Sequence, residues 1–285
     1  MRIAVLSGKG GTGKTMVATN LAAAAREVVL LDCDVEEPNA ELFLRPEALV
    51  REAVQVPVPR VDPKRCDGCR VCVDFCRYHA LAWAGGRLRI FDEICHQCGG
   101  CVLLCPLQAL REEDRRIGEI RRGRSGMVDL RSGMLDPGEV SGIPLIERLW
   151  QGAPTDGSLV IADCPPGASC GAMACIRPAD RCVLVAEDTR FGLDNLIMVR
   201  ELTALLGKPA VLVINKWTGG GPVETYCREE NIPVAVRIPF DRGLQAWGAQ
   251  GRIASRESER WRDLFGGLLR ELERQGMGHG AAAGA

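Results

Sequence analysis

The chain carries almost no net charge: 36 Lys and Arg stand against 37 Asp and Glu in 285 residues, a formal net charge of −1. That balance argues against a surface basic overall, and so against nucleic acid as a general partner. Long apolar runs are also missing. None approaches the roughly 20 residues of a membrane span, so no stable membrane anchor is expected. No leader is expected either, because Met1 runs straight into Ile3-Ala4-Val5-Leu6, and the cytoplasm is the expected location. Cysteine, by contrast, is abundant. Fourteen are present, eight of them between residues 66 and 105 in a repeated spacing. In a reducing compartment such a pattern reads as metal or cluster ligation, not as a disulfide framework.

The apolar run Ile3-Ala4-Val5-Leu6 reads as a buried strand, and Met16 to Ala25 as a helix. Between them lies Gly8-Lys9-Gly10-Gly11-Thr12-Gly13-Lys14-Thr15. Strand, glycine loop, Lys-Thr and helix make a phosphate cradle. The glycines let backbone N–H groups turn onto an anion, and the helix N-terminus adds partial positive charge. Lys14 is placed for the β- and γ-phosphates, and Thr15 offers its hydroxyl to Mg²⁺. A second apolar strand, Val28 to Leu31, ends in Asp32-Cys33-Asp34. Carboxylates at the C-terminal end of a parallel strand lie where such sheets bind ligands. A third, Leu159 to Ala162, ends in Asp163-Cys164-Pro165-Pro166-Gly167.

With Lys9 early in the loop, G-K-G-G-T-G-K-T resembles the deviant Walker A motif of the MinD/ParA/Mrp/nitrogenase-iron-protein group of P-loop ATPases. The resemblance implies a doubly wound, mostly parallel α/β fold, hydrolysis of ATP with Mg²⁺, and a homodimer in which Lys9 reaches the partner's nucleotide. It implies further roles residue by residue. Asp34 falls at the switch I position that orients the attacking water, with Asp32 near the Mg²⁺ shell. Asp163 falls at switch II and would hold a Mg²⁺-bound water, with the Gly167 N–H sensing the γ-phosphate. Asn215, ending the strand Val211 to Ile214, falls where the family reads adenine, and Pro239 flanks the ring. Asn215-Lys216-Trp217-Thr218 also lacks the aspartate that would read guanine.

Cys66-x-x-Cys69-x-x-Cys72-x-x-x-Cys76 recurs 29 residues later as Cys95-x-x-Cys98-x-x-Cys101-x-x-x-Cys105-Pro106. Zinc sites usually pair two C-x-x-C units for four ligands; this duplicated run instead resembles the bacterial two-cluster ferredoxin. There, three thiolates of one run hold a cubane and the fourth ligates the other cluster. The resemblance implies one [4Fe–4S] cluster on Cys66, Cys69, Cys72 and Cys105, and a second on Cys95, Cys98, Cys101 and Cys76. Arg77 stands where a proline would follow Cys76. The expected organisation is a P-loop domain in two parts, 1–58 and 111–275, an α+β ferredoxin-like insert at 59–110, and a disordered tail at 276–285.

Residues 117–130 read as a hairpin, with Arg115, Arg116, Arg121, Arg122, Arg124 and Arg131 as a solvated face. Trp261, Leu264, Phe265, Leu268, Leu269 and Leu272 fall on one helical face, read as core-packing because acidic residues balance the arginines opposite. Cys33, Cys182 and Cys227 read as structural. Cys170 lies seven residues after Asp163, the offset of a cluster-ligand cysteine in the nitrogenase iron protein, so metal ligation and a small buried thiol both stay open for it. Three functions follow from the resemblance. One is an ATP-gated electron-transfer protein with a redox partner; another is an iron–sulfur or metallocentre assembly ATPase, with Cys170 holding cargo. The third, a MinD-like positioning ATPase, leaves eight cysteines without a purpose.

Overall fold

A computed structural model describes residues 1–277, with side chains as far as residue 274; the expected tail at 276–285 lies almost wholly outside the described residues. In chain order the first half runs β1 (Arg2–Leu6), α1 (Lys14–Ala24), β2 (Val28–Asp32), α2 (Ala40–Leu44), β3 (Glu47–Val61), α3 (Val71–Phe75), β4 (Leu81–Ala84), β5 (Arg87–Ile90), α4 (Gly100–Leu103), β6 (Leu110–Ser125) and β7 (Val128–Leu135). There follow α5 (Ile143–Gln151), β8 (Val160–Asp163), α6 (Cys170–Ile176), β9 (Arg181–Glu187), α7 (Arg190–Leu205), β10 (Ala210–Trp217), α8 (Pro222–Glu229), β11 (Val234–Pro239), α9 (Arg242–Ala249), α10 (Ala254–Glu257) and α11 (Glu259–Met277).

Nine strands form one sheet in the order β11-β10-β9-β1-β8-β2-β7-β6-β3. The seven from β11 to β7 are parallel; β6 and β3 extend the sheet by antiparallel pairing. Strands covered on both faces have no need to alternate, and β1, β2, β8 and β9 are apolar almost throughout. One face packs α5, α6, α7 and α8 through residues such as Leu145, Ile146 and Leu149, with Val199 and Val223. The other packs α1 and α11, where Trp261, Phe265, Leu268, Leu269 and Leu272 are all buried in one cluster with Leu21 and Val185. The fold is therefore the expected mostly parallel, doubly wound P-loop architecture.

Two features differ from expectation. The hairpin is much longer than residues 117–130: β6 begins at Leu110 and pairs with β3 from Leu110↔Val61 to Arg124↔Glu47. The arginines of β6 and β7 are not a plainly solvated face either. Arg115 pairs with Glu139, Arg116 with Asp136, Arg121 with Glu119 and Glu41, Arg122 with Glu52, and Arg131 with Asp129. Of these pairs Arg122–Glu52 joins neighbouring strands, whereas Arg121–Glu119 and Arg131–Asp129 lie two residues apart on one strand and so share a face of the sheet.

The β3–β6 ribbon also carries residues 62–109. Their core is small, with Cys72, Leu81, Leu88, Cys101 and Leu110 buried. Two of those five side chains are cysteines, so the unit has little apolar burial to hold it apart from whatever its thiols bind. Among the described residues no helix is long and apolar enough to cross a membrane.

Candidate functional site

The loop between β1 and α1 is shaped by close approaches that only glycine permits. Gly13 caps α1 at φ 95°, and a Cβ there would collide with the Asn215 side-chain amide. At Gly8 a Cβ would strike Asn195. Ser7 Oγ donates to the Lys9 carbonyl at 2.9 Å. A cleft of about 1050 Å³ opens above the loop. Its walls include Gly10, Gly11, Lys14 and Thr15, then Asp34 to Glu37, Val140 to Ile143, and Pro165, Pro166 and Cys170.

Lys14 is the electrostatic centre. Its Nζ donates to Asp163 Oδ1 at 2.9 Å and to Asp34 Oδ2 at 3.4 Å, with only 6% of the side chain exposed. Burial opposes the charge, but Asp163 and Asp34 outweigh it and hold the ammonium well above the ordinary lysine value. Asp163 Oδ2 is buried without a hydrogen-bond partner. A buried carboxylate oxygen left free beside an ammonium, with Thr15 on the same wall, suits a cation or its bound water. The donor set therefore fits Mg²⁺ with a triphosphate.

Asp32 lies level with Asp163 on the adjacent strand. Its oxygens accept from the N–H groups of Asp34 (3.3 Å) and Ala40 (2.9 Å). Burial first, then the Asp163 charge, push its carboxyl up to about 8. Between the ordinary carboxylate range and pH 8 the folded chain thus holds a proton that the unfolded chain has released. The contribution of this group to stability therefore falls as pH rises across that window. In magnesium-free buffer the thermal midpoint should decline from pH 5 to pH 8, and Asp32→Asn should flatten the decline. An equal slope in the variant would assign the effect elsewhere.

The other expected site residues surround this centre. Lys9 Nζ pairs with Glu187 of its own chain at 3.0 Å and lies 5.0 Å above the Phe191 ring. Thr12 is buried, and its carbonyl accepts from Asn215 Nδ2 at 2.7 Å. The Gly167 N–H donates to the Ser7 carbonyl at 2.9 Å, joining the turn after β8 to the glycine loop. Pro239 ends β11 opposite Trp217 on β10. Cys170 is exposed at the start of α6, whereas Cys33, Cys164, Cys175, Cys182 and Cys227 are buried. Glu187 had no role in the sequence reading. It gathers both Lys9 and Lys216, and Lys216 Nζ also reaches the Gly11 carbonyl at 3.4 Å. The rule that singles out Asp32 and Asp34, a carboxylate at the C-terminal end of a parallel strand, applies equally to it.

The eight cysteines of residues 66–105 form two groups. One small cavity is lined by Cys66, Cys69, Cys72 and Cys105, with Trp83 and Leu88. Another is lined by Cys76, Cys95, Cys98 and Cys101, with Phe75 and Tyr78. The backbone repeats with the sequence: positive φ recurs 29 residues apart at Gly68 and Gln97, at Arg70 and Gly99, and at His79 and Gln108. Helices α3 and α4 start at matching positions. Burial pushes up the thiols of Cys72, Cys95 and Cys101, the last to about 11; binding a cluster must displace those protons. Among the described residues no group of three or more His, Cys, Asp or Glu is placed to hold a metal ion. Four thiols lining one cavity are the donor set that a [4Fe–4S] cluster takes.

Residues 3–253 match the CobQ/CobB/MinD/ParA nucleotide binding domain (CbiA). The uncharacterized protein MJ0578 of Methanocaldococcus jannaschii is 30% identical over 221 residues, spanning 76% of this chain and 78% of that protein. A shorter likeness to the uncharacterized ferredoxin MJ0722 of the same organism, 37% identical over 54 residues, spans 18% of this chain and 70% of the ferredoxin. The septum site-determining protein MinD of Pyrococcus horikoshii OT3, solved with Mg-ADP, shares the fold at a TM-score of 0.59 and 17% identity, over 96% of each chain. With the match running through the glycine loop, the carboxylate-bearing ends of β2 and β8 and nearly all of the parallel sheet, the chain belongs to the CobQ/CobB/MinD/ParA family of nucleotide-binding domains.

Proposed function

We propose that this protein is a Mg²⁺-dependent ATPase whose nucleotide-driven, dimeric switch gates electron transfer through two [4Fe–4S] clusters. One observation carries the reading. Two four-cysteine cavities sit on a ribbon, β3–β6, continuous with the sheet whose strand ends build the nucleotide cleft. Partial likeness to a ferredoxin supports the same assignment. Cys66, Cys69, Cys72 and Cys105 would hold one cluster, and Cys95, Cys98, Cys101 and Cys76 the other. When bound, each cluster accepts and releases one electron at a time.

The chain's own residues perform the rest. Lys14 moves from its two carboxylates onto the β- and γ-phosphates, freeing Asp34 to orient water and Asp163 to hold the cation's hydration shell. Water attacks the γ-phosphorus, the bond to the β,γ-bridging oxygen breaks, and ADP and phosphate leave. Lys9 leaves Glu187 to reach the partner protomer's nucleotide, so closure of the dimer reports nucleotide state. The electron comes from a low-potential one-electron donor protein and passes to an oxidised acceptor protein.

Electron paramagnetic resonance of the dithionite-reduced protein, with and without Mg·ATP, tests this. A nucleotide-dependent change in line shape or reoxidation rate is expected; identical spectra and rates would overturn the gating. One observation favours a second reading, metallocentre assembly: the thiol of Cys170 is exposed in the wall of the nucleotide cleft. Under that reading Cys170→Ala abolishes transfer of a cluster or metal to an acceptor while the iron of the eight-cysteine unit stays intact. Unchanged transfer would remove it.

A further inference from the structure

We infer that Arg115 is a positioning residue that ties the loop lining the nucleotide cleft to the ligand loop of the second cluster. The inference rests on the gating reading above and names the side chain that transmits it.

Arg115 lies on β6, between the two sites. Both Nη1 and Nη2 donate to the Glu139 carboxylate, with Nη2 2.8 Å from Oε2. Nη2 also donates to the Asp92 carbonyl at 3.4 Å. That same carbonyl accepts the Cys95 N–H at 3.2 Å. The Asp92 side chain is held from the other side by Arg60, in a two-pronged pair at 2.7 and 2.6 Å. One guanidinium therefore touches the turn that presents Cys95.

Its other contact leads to the nucleotide. Glu139 immediately precedes Val140 to Ile143, which line the cleft, though Glu139 itself does not. Within that loop Gly142 has no Cβ because Val35 fills the place, and Gly133 on β7 leaves room for the same side chain. The Leu135 N–H donates to the Val35 carbonyl at 2.9 Å. Val35 follows Asp34, so a shift of switch I presses on β7 and on the loop that Glu139 begins.

Arg115 is not an ordinary surface pair. Only 20% of its side chain and 11% of Glu139 are exposed. Its Nε is buried without a partner, so the guanidinium is committed to Glu139 and Asp92 at the cost of one donor. A planar fork serves both acceptors at once; a lysine ammonium has no such fixed geometry.

The test uses full-length protein with both clusters reconstituted. Reduced-cluster resonance spectra are recorded with and without Mg·ATP for the parent, Arg115→Lys and Glu139→Gln. ATP turnover and iron content are measured alongside. The expected result is that both variants keep parental iron and turnover but lose the nucleotide-dependent spectral change. A change of parental size in the variants overturns the role of Arg115 and leaves the gating reading standing. No change in the parent itself overturns both. Should Arg115→Lys lose iron, Glu139→Gln decides alone, because it keeps the Arg115 guanidinium that donates to the Asp92 carbonyl.

Discussion

Lys14→Ala is expected to lower ATP turnover by on the order of 10³-fold, the scale of losing a charged group that stabilises a transferring phosphoryl. It should also destabilise the nucleotide-free protein. Lys14 is the partner of Asp163, of which only 1% is exposed, and of the half-buried Asp34. Removing one member of a buried ion pair leaves an uncompensated charge and costs about 3–5 kcal/mol. For a domain of this size that lowers the thermal midpoint by roughly 10 °C. Both effects share one cause, since the ammonium that holds the carboxylates is the one that would cross to the phosphates. Assays well below the variant's midpoint separate chemistry from unfolding. Turnover within tenfold of the parent would remove Lys14 from the phosphate site, and an unchanged midpoint would deny that it holds the carboxylates together.

Much of this site is readable in the sequence because each motif is local. A glycine loop followed by Lys-Thr, and carboxylates at the ends of apolar strands, need only a few consecutive residues to be recognised. What escaped is long-range. Val35 fits against Gly133 and Gly142, and Lys9 meets Glu187, across some hundred or more residues of chain; no local pattern encodes such contacts. The ribbon escaped for another reason. Val54, Val56 and Val58 alternate as a strand should and are buried, but Pro57 and Pro59 interrupt the pattern. Proline cannot donate to a ladder, so it is confined to edge strands, and β3 is the edge of this sheet. Its partner opens on Leu110 and then runs Arg111-Glu112-Glu113-Asp114-Arg115-Arg116, a charged stretch that hides a strand in which Arg111, Glu113, Arg115 and Arg116 are held in ion pairs.

The eight cysteines proposed as cluster ligands yield the other large effect, and their order makes it decisive. If each run held its own cluster, Cys66 and Cys76 would serve one and Cys95 and Cys105 the other. The cavities group them otherwise, with Cys105 beside Cys66, Cys69 and Cys72, and Cys76 beside Cys95, Cys98 and Cys101. Cys105 Sγ also accepts the Ala109 N–H at 3.2 Å, which orients it within its group. Loss of a single ligand should empty one cluster, taking bound iron from about eight to about four atoms per chain. Single variants alone do not separate the two groupings, because both lose one cluster. Double variants do, since two changes in one site cannot remove more than that site holds. Cys66→Ala with Cys105→Ala should retain about four irons if the runs cross over, and none if each run is self-contained. Cys66→Ala with Cys76→Ala should give the reverse, near zero against about four. Trp83 supplies an independent readout, since of the two four-cysteine cavities it lines the one of Cys66, Cys69, Cys72 and Cys105. Its fluorescence, taken as the difference from a Trp83→Phe background, should rise in Cys105→Ala and stay quenched in Cys76→Ala. The opposite pattern would assign Cys105 to its own run.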